Sequence, residues 1–297
     1  MRFIVTILLF ACTLVNAQQY VECEIANKNS LLSPQDYKNL KSIKGVSDFE
    51  PVTFNVYFWG FKRANNTGNV LFTQENIEAS VARLNELYNL CDVSFVLLGF
   101  DTIRSEEFYT INSTAVFYDM LVDMRSKGYV NDQAFNIYVS NEYQGFGGIV
   151  EGYDTTTIGI PGVQLVNEGT LEHEMGHCFG LRHTNLNTNN ITCGESVTRD
   201  PSNLYFNADL TGDFVVDTAA CYEFEPGEFD PETCSLTSNT YDCYGFRYQV
   251  PSSLFNNYMT TGASECEKDH LTTGQFVRVQ KTIALDPLNL FQAAIAD

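Results

Sequence analysis

Residues Val52–Trp59 alternate β-branched and aromatic side chains with polar ones, which predicts a strand. A turn over Asn65–Gly68 follows, and Thr73 then caps a helix with Glu75 in its first turn and Ile77, Val81, Leu84 and Tyr88 along one face. Val93–Leu98 predicts a buried strand, Thr114–Lys127 a second helix and Phe135–Val139 a further strand. The order strand, helix, strand, helix, strand predicts a largely parallel sheet with helices packed on it. Gly145–Tyr153, Gly-rich and then apolar, predicts an edge strand beside a cleft. Past residue 184 the chain is rich in Asn, Thr, Asp and Cys, and periodicity returns only in a helix over Thr273–Ile283. The expected class is α+β. An N-terminal lobe to about residue 180 carries a twisted mixed sheet, two packed helices and a third at the junction. An irregular, disulfide-stapled lobe over 181–297 ends in a helix.

The N-terminus has its own pattern. Arg2 precedes an apolar run, Phe3 to Phe10, and small residues close it at Val15-Asn16-Ala17. A charged start, an apolar centre and a small-x-small end predict a signal peptide over 1–17 and a secreted, extracellular protein. Residues 18–50 are polar and weakly patterned, either a pro-segment or an entry strand. No later apolar run reaches the ~18 residues of a membrane span. Lys+Arg number 17 against Asp+Glu 37, a net charge of -20, which excludes the basic footprint that nucleic-acid binding requires. Of nine Cys, Cys12 falls in the signal, and the even remainder in an exported chain predicts disulfides. A Cys23 thiolate reaching a metal and holding the protein latent competes with Cys23 pairing to Cys91, Cys178 or Cys234. Cys178 itself reads as a buried disulfide partner.

Between the lobes lies Gly169-Thr170-Leu171-Glu172-His173-Glu174-Met175-Gly176-His177-Cys178-Phe179-Gly180-Leu181-Arg182-His183. On a helix His173 and His177 project from one face, where two imidazoles can grip one ion. Glu174, offset by one position, can reach a water on that ion without ligating it. Gly180 can take a positive φ, end the helix and let His183 swing back as third ligand. Three imidazoles leave a fourth position open, the mark of a catalytic rather than a structural zinc site. HExxHxxGxxH fixes five letters, so chance agreement in a chain of this length is on the order of one in ten thousand. Zinc would lower the pKa of its water toward ~7 and polarise a carbonyl, with Glu174 as general base and then general acid. The fourth His, His270, reads as a surface or supporting residue.

These residues resemble a family. HExxHxxGxxH with a downstream Met in a tight turn is similar to the metzincin signature. Thr184 after the third His, Gly212-Asp213-Phe214-Val215-Val216-Asp217-Thr218, Asn257-Tyr258-Met259, Cys266 and Leu271–Arg278 resemble the pappalysin family over residues 145–285. The resemblance implies a metallopeptidase catalytic domain over 51–297, with Met259 as the Met-turn beneath the imidazoles. It also implies disulfides Cys193–Cys243 and Cys221–Cys266, with Cys234 a rival partner for Cys193. A calcium loop using Asp213 and Thr218 is implied too, against a plain polar turn. The stretch from Asn207 is not an EF-hand, because position twelve is Thr218 and not Glu. Family members commonly carry Tyr two residues after the Met, where Thr261 stands here.

The function expected from these residues is a secreted zinc endopeptidase acting as a monomer on protein or peptide substrates. A non-catalytic, zinc-stabilised extracellular binding module is the alternative, and it predicts metal retention without turnover.

Overall fold

The computed structural model describes residues 24–27, 29–167, 169–185, 194–224 and 227–296. The N-terminal lobe runs β1 (Glu24–Asn27), α1 (Pro34–Asn39), β2 (Val52–Lys62), α2 (Gln74–Tyr88), β3 (Val93–Arg104), β4 (Thr110–Ile111) and α3 (Thr114–Lys127). It continues through β5 (Phe135–Ser140), β6 (Glu142–Tyr143), β7 (Ile149–Gly152), β8 (Thr157–Pro161) and α4 (Thr170–Cys178). The C-terminal lobe holds β9 (Phe229–Asp230), β10 (Ser235–Leu236), α5 (Ser252–Phe255), α6 (Thr273–Leu285) and α7 (Leu290–Ala293). The expected strand at Val93 extends six residues further, to Arg104, because its ladder with β2 resumes after a bulge at Leu98. As the sheet's edge it leaves Val96, Leu98 and Phe100 exposed, which blurs the apolar pattern.

Six strands form one sheet in the order β1-β7-β8-β5-β2-β3, and only the β7–β8 pair is antiparallel. The sheet is mixed and largely parallel, as its alternation with helices implied. Phe54, Val56 and Phe58 of β2 face Ile77, Val81 and Leu84 of α2 and Met175 of α4. Trp59 and Phe61 face the opposite layer, with Phe117, Met120, Leu121 and Met124 of α3. A strand covered on both faces must be apolar at both parities, which explains the continuous apolar run at Val56–Phe61. Helix starts follow local chemistry: Thr73 caps α2, Ser113 caps α3, and Thr272 with Gln275 forms a reciprocal box on α6.

The segment before β2 has two parts. The backbone of β1 adds a parallel strand to the free side of β7. Residues 30–50 are built into the body: Leu32, Tyr37 and Ile43 are buried, and Tyr37 Oη lies 2.9 Å from Thr282 Oγ1 of α6. Gln280 Nε2 also donates to the carbonyls of Val46 and Cys91, both at 2.9 Å. The proposed signal over 1–17 and Cys23 lie outside the described residues.

The cysteines depart from expectation. Cys266 pairs with Cys234, not with Cys221. Cys234 and Cys266 share a small apolar cluster with Phe224, Phe229, Phe255 and Ala263, which brings the β9–β10 turn onto the Cys266 loop. Cys221 is a buried thiol that donates to the carbonyl of Tyr222. Cys243 is disulfide-bonded, and its expected partner Cys193 lies outside the described residues. Cys91 and Cys178, the latter expected as a disulfide partner, are also thiols and sit in the main apolar core. Burial pushes the Cys91 and Cys221 thiols up to about 12 and the Cys178 thiol higher still. All three are therefore expected to resist a thiol reagent at mildly alkaline pH in the folded protein and to react on denaturation. Mass mapping of labelled peptides reads this out, and native labelling of any one of them would contradict its burial.

Candidate active site

The site is assembled around α4, whose first turn is braced by the neighbouring helix α2. Glu172 accepts from the Gly169 amide at 3.0 Å and from Arg83 Nε at 3.2 Å. Arg83 of α2 also donates to the carbonyls of Leu165 and Asn167, and Tyr88 Oη donates to the Glu172 carbonyl at 2.8 Å. The short helix is thus fixed at its start by a buried ion pair and carbonyl clamps rather than by helix propensity alone. It ends at Phe179, and Gly180, at φ +75°, turns the chain back. Leu181 N donates to the Gly176 carbonyl at 2.9 Å, closing that turn.

The turn brings His173, His177 and His183 together. Their Nε2 atoms lie 2.9 Å (173–177), 2.9 Å (177–183) and 3.1 Å (173–183) apart. His173 Nδ1 donates to the Tyr258 carbonyl at 2.6 Å, and His177 Nδ1 to the Leu181 carbonyl at 2.8 Å. A carbonyl only accepts, so in both rings the proton sits on Nδ1 and the Nε2 lone pair points into the cluster. Burial keeps both rings neutral, holding His173 down at about 4 and His177 well below the usual range. Two lone pairs from neutral, buried rings, converging with the Nε2 of a third, form a site suited to a cation. Ligands around a tetrahedral zinc with ~2.05 Å bonds stand ~3.3 Å apart, within a few tenths of an ångström of the separations here. Among the described residues these three imidazoles form a group that could hold a metal ion.

Glu174 is fully buried beside this cluster. Its carboxylate packs on Gly148, at the entry to β7, where a Cβ would overlap it. The Gly-rich segment expected near a cleft therefore lies directly against the carboxylate. Met259 lies under α4: its Sδ would be 2.7 Å from a Cβ on Gly176, so only glycine admits the sulfur at that turn. His270 stands apart, with its ring on Asp269 and its carbonyl accepting from the Tyr258 amide.

Several contacts were not visible in the sequence. Thr184 Oγ1 meets Thr260 Oγ1 at 2.6 Å, and Thr184 N donates to the Met259 carbonyl. Asn185 clasps the next residue: its Oδ1 accepts from Thr261 N and Oγ1, both at 3.2 Å, and its Nδ2 donates to the Thr261 carbonyl. The Thr261 hydroxyl is thus committed to Asn185. Asp213 Oδ1 accepts from Val215 N at 2.9 Å and Thr218 Oγ1 at 3.0 Å, while its buried Oδ2 has no hydrogen-bond partner among the described residues. Glu195, buried beside it, packs its carboxylate on Gly212 and pairs with Arg199 at 2.8 Å. Burial foremost, with Asp213 adjacent, pushes Glu195 well up, and burial raises Asp213 too.

Comparison with known proteins agrees with this geometry. Residues 130–204 match the family described as dual-action HEIGH metallo-peptidase. An extracellular metalloprotease of Colletotrichum graminicola is 26% identical over 260 residues, covering 82% of this chain and 80% of that protein. The fold is similar to mirolysin in complex with a compound, with a TM-score of 0.52 at 14% identity over 82% of this chain and 96% of that one. It is similar also to a mutant Tannerella forsythia promirolysin, with a TM-score of 0.53 at 14% identity over 88% and 89% of the two chains. The site and these likenesses support a zinc metallopeptidase on a fold similar to that of mirolysin. The mirolysin-like fold agrees with the pappalysin resemblance read from the sequence.

Proposed function

We propose that this chain is an exported zinc endopeptidase that hydrolyses peptide bonds in proteins or peptides. The observation that carries the reading is the convergence of three Nε2 atoms, two of them with fixed tautomers, beside a buried non-ligating carboxylate. Zinc held by His173, His177 and His183 would supply Lewis acidity to the scissile carbonyl and to a water. Glu174 takes a proton from the attacking water as its oxygen bonds to the carbonyl carbon. It then returns that proton to the nitrogen as the C–N bond breaks and the amine departs. The Tyr258 and Leu181 carbonyls hold two imidazoles in their binding tautomer throughout. Metal analysis of the purified protein, joined to a cleavage-site profile on a complex peptide library with and without chelator, tests this. One zinc per chain and chelator-sensitive cleavage are expected, and chelator-insensitive cleavage would remove the reading. The second reading, a zinc-stabilised binding module, draws support from Thr261, whose hydroxyl is committed to Asn185. It predicts stoichiometric zinc with no cleavage of any library member.

Glu195 and Asp213 fit a calcium ion better than a polar turn, because the Arg199 pair and the loop donors serve only one oxygen of each, leaving Glu195 Oε2 and Asp213 Oδ2 buried and in need of a cation. Thr218 belongs to the same loop through its bond to Asp213. Calcium at ~100-fold above its Kd stabilises by about 2.7 kcal/mol, a Tm rise of roughly 5 °C for a chain of this size. Asp213→Asn is expected to abolish most of that rise in a calcium titration followed by melting.

The N-terminal pattern, together with the extracellular relative, supports export with removal of residues 1–17. No helix among the described residues is long and apolar enough to cross a membrane. A removable pro-segment would end before Ser30, because residues 30–50 are packed into the catalytic unit. N-terminal sequencing of the secreted protein reads both boundaries.

A further inference from the structure

The turn that returns His183 is held by an unusual set of neighbours. The Arg182 guanidinium lies between two rings, 4.7 Å from the Tyr153 centroid and 4.6 Å from that of Phe214. Arg278 of α6 lies 3.8 Å from the Tyr37 centroid and 5.5 Å from that of Phe214. The alternating order is Tyr153, Arg182, Phe214, Arg278, Tyr37, with Phe214 as the plate shared by both cations. Arg182 makes no ion pair among the described residues, and its buried Nε has no hydrogen-bond partner there. Ring faces make the close contacts that hold it, and the buried Asp154 carboxylate attracts it without forming an ion pair.

Two members of this stack, Tyr153 and Arg278, reach the candidate zinc site. Tyr153 meets the His177 ring edge-on, with centroids 5.7 Å apart at 74°. Arg278 Nε donates to the Gly180 carbonyl at 2.8 Å, at the residue whose positive φ sets the turn. Arg182 is the residue immediately before His183. Phe214 therefore touches two side chains that fix the arm at residues 180 and 182, and it comes from the loop that carries Asp213. Its own φ of +64° is uncommon for a bulky residue, so the loop holds the ring here against a local backbone cost.

We propose that Phe214 is a positioning residue: it holds the Arg182 and Arg278 guanidiniums in register so that His183 stays aimed at the metal. The inference rests on the three-imidazole reading. Without the ring, two cations face each other with no π surface between them, the Gly180–His183 arm relaxes, and the third ligand is released more often. Groups that orient a metal ligand commonly change metal affinity by 10–100-fold when lost.

The test uses the whole chain loaded with zinc. Zinc loss to an excess of chromophoric chelator is timed for wild type, Phe214→Leu, Phe214→Tyr and Arg278→Lys, and the melting temperature of each zinc-free protein is recorded. Phe214→Leu keeps apolar bulk and is expected to lose zinc about tenfold faster with little change in zinc-free melting. Arg278→Lys, which keeps charge but loses the flat face and the Nε donor to Gly180, should move the same way, and Phe214→Tyr should keep the wild-type rate. A wild-type rate in Phe214→Leu, or faster loss only in proportion to a fall in zinc-free melting, would overturn the proposal. If wild type binds no stoichiometric zinc, the reading of the site fails first and this one with it. Normal wild-type zinc with an unmoved leucine variant sinks the positioning role alone.

Discussion

Glu174→Gln is expected to lower kcat/KM for peptide hydrolysis by about 10³–10⁴-fold while zinc stays bound at wild-type stoichiometry. The argument is one of shape against proton chemistry. The amide has the size of the carboxylate and fits the same space against Gly148, so packing around the fully buried side chain is kept. The ligands are untouched, because the three Nε2 atoms converge without Glu174. What is lost is the ability to accept a proton from water and hand it to the leaving amine. Either role alone is worth ~10²–10⁴-fold. The measurement pairs kcat/KM on a peptide identified from the library with zinc content of the same preparation. A variant that keeps a tenth of wild-type activity with full zinc would mean that another group moves the proton.

Such a contrast could be written from the chain alone because the zinc motif is local. Two His four residues apart share a helix face, and a Gly three residues on can turn the chain, whatever the rest of the fold does. The strands were legible for the same reason: alternation at Val52–Trp59 follows from a side-chain period of two. Contacts between distant residues were not legible. Arg83 braces Glu172 across 89 residues of chain, and Asn185 clasps Thr261 across 76. Glu195 reaches Asp213 only because the loop between them folds back onto Gly212. No periodicity encodes such meetings. The Cys221–Cys266 expectation failed for a related reason: it was carried over by resemblance. Here the β9–β10 turn places Cys234 in the apolar cluster that holds Cys266. The even count of cysteines also misled, since Cys91, Cys178 and Cys221 are buried thiols. Burial protects a thiol as well as a disulfide does.

Phe179→Ala is expected to cost about 3–5 kcal/mol of stability, the range for truncating a fully buried Phe. Phe179 follows α4 directly, and its ring meets those of Phe54 at 5.9 Å, Tyr88 at 5.7 Å, Phe95 at 6.2 Å, Phe135 at 5.5 Å and Phe291 at 5.6 Å. Those rings come from β2, α2, β3, β5 and α7, so one side chain ties the end of the zinc-motif helix to the sheet, its covering helix and the C-terminus. Offset and edge-on ring pairs add to simple area burial, and a void among them cannot be refilled without moving several elements. At roughly 2–4 °C per kcal/mol the zinc-free protein should melt ~10 °C lower. Phe179→Leu, which keeps most of the volume, should lose less than half as much. Melting of the zinc-free proteins separates this core effect from any loss of metal. If Phe179→Ala melts within ~2 °C of wild type, the aromatic cluster is not what anchors α4. The support for the site would then have to come from the Arg83–Glu172 brace alone.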